Sequence, residues 1–135
     1  MQTNTDRLRE LTRTFAHHVV GLSRALRKMK ESILAGQFLR SGTSIGANIA
    51  EGRYPQTISD SLSKHGIALK EASETLYWLE LFEDMGVIRY KSEFANMHAE
   101  CNEIIELLQA VISDTRQAKA REARAGKKTA RGRKC

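Results

Sequence analysis

Nine cations crowd the last twenty residues: Arg116, Lys119, Arg121, Arg124, Lys127, Lys128, Arg131, Arg133 and Lys134, against the single acid Glu122. Cations in such number neutralise phosphates, giving salt-dependent binding to nucleic acid with little sequence preference. Residues 116–135 contain no aromatic side chain, so base stacking of the kind used on single strands is missing there. The competing reading is a solvated terminus that only aids solubility. The four histidines, His17, His18, His65 and His98, raise metal chemistry. Di-iron bundles need Glu-x-x-His pairs, and the residues three before these histidines are Thr14, Phe15, Leu62 and Ala95. No metal or other cofactor is expected. No nucleophile–base pair has a local signature, so no catalytic residues are expected either.

A second group is unusual for its small residues. Arg40-Ser41-Gly42-Thr43-Ser44-Ile45-Gly46-Ala47-Asn48-Ile49-Ala50-Glu51-Gly52 sits where a helix is expected. Gly costs roughly 1 kcal/mol relative to Ala in a helix interior. Gly42, Gly46 and Ala50 recur at one-turn spacing and form a groove for close helix packing. Asn48, one turn from Ser44, is placed to hydrogen-bond across a bundle and set its register. Glu51 is placed to pair with Arg40, Arg53 or a helix N-terminus.

The elements that carry these residues are helices. Leu8, Leu11, Phe15, His18, Leu22, Ala25 and Met29 form a heptad-like stripe on the first, capped by Asn4 or Thr5. Ser32 is placed to cap a second, which ends near Gly52-Arg53-Tyr54-Pro55. Thr57 and Asp60 resemble a capping box at the start of a third. Its stripe runs through Ile58, Leu62, His65, Leu69, Ala72, Leu76, Leu79 and Glu83, and Gly86 ends it. Tyr77, Trp78 and Leu81 lie off that stripe and point to a subunit interface. Ser92 is placed to cap a fourth helix with core residues Phe94, Met97, Cys101, Ile104, Leu108 and Val111. The good helix formers of Arg116–Arg124 allow that helix to continue through them, and beyond Gly126 disorder is expected. The fold class is all-α: an antiparallel up-down-up-down four-helix bundle over residues 1–115 with a basic, disordered C-terminal extension over 116–135.

Bulk properties agree. The chain has 135 residues, 41% hydrophobic content and one Pro, which suits one packed domain. Residues 1–55 hold nine basic and four acidic side chains, and residues 56–115 four and eleven. These opposite signs suit a head-to-tail contact between copies, although solvated faces explain them equally well. No apolar run approaches the roughly 18 residues that would cross a bilayer, and Met1 to Asp6 lack the pattern of a secretory signal. With only Cys101 and Cys135, no structural disulfide is expected, and the location is expected to be cytoplasmic.

The Arg40–Gly52 stretch, followed by Ile67-Ala68-Leu69-Lys70-Glu71-Ala72 and Tyr77-Trp78-Leu79-Glu80-Leu81, closely resembles the bacterial four helix bundle protein family. That family includes proteins encoded in intervening sequences of large-subunit ribosomal RNA genes. Its more distant relatives are the accessory variability determinant proteins of diversity-generating retroelements. The resemblance implies an antiparallel four-helix bundle assembled as a ring-shaped homopentamer, without enzyme activity. It also implies nucleic acid, RNA above all, and a reverse transcriptase as partners. Arg40, Ser41, Gly42, Ser44, Gly46, Asn48 and Glu51 carry over as structural residues. A protein-interaction module with a solubilising tail is the alternative.

Overall fold

The computed structural model describes residues 1–88 and 92–133. Four helices, α1 (Asn4–Lys28), α2 (Ser32–Glu51), α3 (Ile58–Asp84) and α4 (Met97–Arg133), carry the fold, with a 3-10 turn at Ser92–Phe94 before α4. Among the described residues there is no strand. Each helix packs on the next in chain order, and α4 returns to α1. The short links make neighbours antiparallel, so the four close into an up-down-up-down bundle.

The helix starts follow from capping chemistry. Thr3, not Asn4 or Thr5, caps α1: its hydroxyl accepts from the Asp6 backbone at 3.1 Å, and the Asp6 carboxylate accepts from the Thr3 backbone. These bonds satisfy two donors that would otherwise be orphaned. Thr57 caps α3 by accepting from the Asp60 backbone at 3.0 Å. Ser32 does not cap α2. Glu31 holds that position without a side-chain bond, because the chain enters α2 through Lys30 at φ 65°. Gly86 leaves α3 at φ 76°, a conformation glycine adopts without steric cost. Ser92 belongs to the 3-10 turn rather than capping α4.

The core row of α1 runs Leu8, Leu11, Phe15, Val19, Leu22 and Leu26. It steps past His18, Ala25 and Met29, because a straight helix at 3.6 residues per turn drifts from a heptad stripe. On α3 the buried row is His65, Ala68, Ala72, Thr75, Leu79 and Phe82, with Leu69 and Leu76 on its flank. Phe38 and Phe82 meet edge to face, 5.3 Å between centroids, a contact worth about 0.5–1.5 kcal/mol beyond area burial. On α4 the expected row, Met97, Cys101, Ile104, Leu108 and Val111, is buried, as is Phe94 of the preceding turn.

The terminal segment differs from expectation. α4 runs on through Arg116–Arg124, as their helix-forming residues predict, but it does not break at Gly126 and continues to Arg133. Ala, Arg, Lys, Glu and Gln dominate 116–125, and these are the strongest helix formers, enough to offset Gly126 and Gly132. The boundary at 115/116 therefore lies inside one continuous helix. Only the core contacts stop there, Ile112 being the last buried residue.

Candidate nucleic-acid interface

Every described cation of the extension is exposed: Arg116, Lys119, Arg121, Arg124, Lys127, Lys128, Arg131 and Arg133. Lys134 lies outside the described residues. Lys119 is anchored, its ammonium donating to Ser59 Oγ at 2.8 Å, where α4 passes the start of α3. Residues 120–133 then project roughly 21 Å beyond the bundle.

Helical spacing sorts these side chains. At 100° per residue, Arg116 and Lys127 fall on one row, Arg121 and Lys128 on another about 120° round, and Arg124 and Arg131 between them. Ala118, Glu122, Gly126 and Thr129 occupy the opposite side, together with the two remaining cations, Lys119 and Arg133. The cationic arc continues the outward face of α4. There Arg116, Gln117 and Ala120 line a groove of about 610 Å³ with Leu62, Leu69 and Lys70 of α3.

A second basic surface lies on α1 and α2. Arg9, Arg13 and Arg53, with the carboxylates of Asp6 and Glu10 among them, rim a groove of about 640 Å³ floored by Gly46, Ala47 and Ala50. Arg9 is held by Asp6 at 2.7 Å, yet its Nε is shielded from solvent without a hydrogen-bond partner. Net charge pointed to this half of the chain, but spacing alone did not bring Arg53 to Arg9 and Arg13. That needs the α1–α2 packing.

The Arg40–Glu51 residues divide between core and rim. Ser41 is fully buried and accepts from Thr75 Oγ1 at 3.0 Å, a buried polar contact between α2 and α3. Asn48 does not reach across the bundle. Its amide donates to Ser44 O one turn back at 2.8 Å, and Ser44 Oγ donates to Arg40 O. Arg40 pairs with Glu71 at 3.1 Å and with Glu74. Glu51 pairs with Lys64 at 2.7 Å rather than with an arginine. Gly42 and Gly46 differ: a Cβ on Gly42 would sit 2.6 Å from Val19 Cγ1, whereas at Gly46 the nearest atom is 4.0 Å away.

Of the off-stripe aromatics of α3, Trp78 packs half-buried against the core edge and Tyr77 stands outside it. Tyr77 is 59% exposed and meets Trp78 edge to face at 5.2 Å. His18 and His98 each pair with one carboxylate, Glu100 at 3.0 Å and Glu80 at 3.5 Å. No group of three or more His, Cys, Asp or Glu is gathered for a metal ion among the described residues. Among them, no helix is long and apolar enough to cross a membrane.

Residues 7–110 match the family described as 23S rRNA-intervening sequence protein. A crystal structure from Bacteroides thetaiotaomicron VPI-5482, a protein with unknown function from the S23 ribosomal protein family, is similar at 38% identity. It covers 82% of this chain and 99% of its own, with a TM-score of 0.76. No curated protein matches the chain. The family match stops short of Arg116, so the cationic extension lies outside it.

Proposed function

We propose that this chain, which belongs to the 23S rRNA-intervening sequence protein family, is a cytoplasmic, non-enzymatic, homo-oligomeric scaffold for nucleic acid. The observation that carries this reading is the extension of α4, which presents eight described cations and one acid, all exposed. Such an arm attracts polyanions through counterion release. For the bundle, RNA is the favoured polymer, because the family matched over residues 7–110 is described by ribosomal RNA. The Arg9–Arg13–Arg53 groove, inside the matched residues, is the bundle's own basic surface for it. A ring, a pentamer on the resemblance, would repeat each arm around its axis and raise avidity without a new contact. A nucleoprotein such as a reverse transcriptase with its RNA is the partner type that the resemblance implies.

Gel-shift titration on a structured RNA, with the full chain and with residues 116–135 deleted, tests the arm. The full chain should bind more tightly at about 50 mM salt and lose most of that advantage at about 200 mM. Equal binding by both forms, or none by either, rules the arm out.

A second reading, a protein-interaction module with a solubilising helix, draws on exposed Ile33, Tyr54 and Tyr77, at 84%, 78% and 59%. It predicts a specific protein partner whose capture survives nuclease treatment.

A further inference from the structure

The extension is a preformed helix with six of its eight described cations on one arc and Lys119 and Arg133 off it, and that geometry carries more than charge. We infer that residues 116–133 seat in the major groove of B-form duplex DNA. This rests on the reading that the extension binds nucleic acid, but it assigns a different polymer from the RNA of the family description. That description concerns residues 7–110, so the extension must be judged by its own shape.

Three features fit a duplex groove. First, the B-form major groove is about 12 Å wide and takes one α-helix of about 10–12 Å diameter. The A-form major groove of duplex RNA is too narrow and deep to admit it. Second, such a groove has a phosphate wall on each side. The Arg116–Lys127 row faces one wall and the Arg121–Lys128 row the other, about 120° apart. Arg124 and Arg131, between the rows, then face the base edges, where a guanidinium donates two N–H bonds to guanine. Third, the only acid, Glu122, lies on the side away from this arc, so no carboxylate meets a phosphate. Nothing on the arc competes with its cations: Gln117 and Ala120 are its other members.

The mounting supports insertion as well. α4 enters the extension from the bundle without a break, and Lys119 on Ser59 ties the exit turn to α3. A helix already formed loses less conformational entropy on binding than a tail that must fold. Single strands are disfavoured because residues 116–133 have no aromatic ring to stack on bases.

Fluorescence anisotropy on one sequence in four forms tests this: duplex DNA, duplex RNA, single-stranded DNA and single-stranded RNA. The full chain should prefer the DNA duplex by about tenfold, the value of one good arginine–base contact. Ala123→Pro keeps every charge and breaks the helix. It should erase the duplex preference while leaving weak binding to all four forms, with circular dichroism confirming that the bundle stays folded. Binding to a single strand or to the RNA duplex as tight as to DNA overturns the inference and leaves the polyanion reading standing. Full duplex preference in Ala123→Pro also overturns it. If deleting residues 116–135 changes affinity for none of the four forms, the inference and the nucleic-acid role of the extension fail together.

Discussion

Gly42 of α2 lies so close to Val19 of α1 that a Cβ would stand 2.6 Å from Val19 Cγ1. Real Cβ contacts do not approach that distance, and Val19 cannot turn away because its β-branched side chain is stiff at χ1. Gly42→Ala therefore forces the helices apart. Overpacking of this kind costs typically about 1–3 kcal/mol, more than the helix propensity gained. Gly46→Ala meets nothing nearer than 4.0 Å and should raise stability by up to about 1 kcal/mol. Urea titration of the two variants should move the midpoint in opposite directions. A destabilised Gly46→Ala would mean that this position is already filled.

His65 ties stability to pH. It is 6% exposed on α3, and a Cβ on Gly52 would come within 3.3 Å of its ring. Burial holds the imidazole below the ordinary histidine value, while a backbone hydrogen bond with Ser61 works the other way. The fold thus favours the neutral ring. As pH falls through the unfolded value of about 6.5, the unfolded chain takes up the proton first and stability declines. Replacing His65 with Gln should flatten that decline between about pH 7 and 5. An unchanged slope in His65→Gln would place the acid sensitivity elsewhere.

Cys101 responds at the other end of the scale. Its thiol is fully buried and donates to Ala72 O at 3.4 Å. Burial first, then the charges of Glu100 and Glu80, push it up to about 12. The thiolate is the reactive form, so in a Cys135→Ser background the native protein should resist a thiol reagent at pH 8 and react on unfolding. The same shift lowers stability as pH rises from 9.0 toward about 12, because there the unfolded chain releases a proton that the fold retains. Rapid labelling of native protein would show that α3 and α4 part readily.

The number of helices, their order and the whole core row of α4 are legible in residue spacing, since a four-three alternation has one structural solution over that length. The register of α1 is not. After Phe15 both His18 and Val19 are admissible, and only the position of α2 selects Val19. The glycines show the same limit: Gly42 and Gly46 share a row by spacing, but contact with Val19 distinguishes them. Asn48 invites a cross-bundle bond, yet Ser41 and Thr75 make it, because their short side chains fit between closely packed helices. The cations of the extension are plain in the sequence, whereas their division into two rows follows only once the helix is known to run to Arg133.

Assembly gives the last prediction. On α3 and the residue that ends it, Ile67, Tyr77 and Met85 remain 41%, 59% and 44% exposed although Trp78 and Leu81 beside them are half-buried. A lone exposed apolar residue is ordinary, but several along one helix, next to a partly covered indole, are what a contact between copies would use. Its neighbours on α3 include Glu74 and Glu80, and the α1–α2 groove on the far side carries Arg9, Arg13 and Arg53. Opposite charges on different faces suit a heterologous contact, which closes into a ring where the rotation permits. Light scattering should then report a multiple of the 15.2 kDa protomer, five times that mass for a pentamer. Tyr77→Lys should return the mass to one protomer by placing a cation against the arginine-lined groove, and circular dichroism should show the helices intact. A protomer mass for the unaltered chain at micromolar concentration removes the ring. An oligomer that persists in Tyr77→Lys moves the contact to another face.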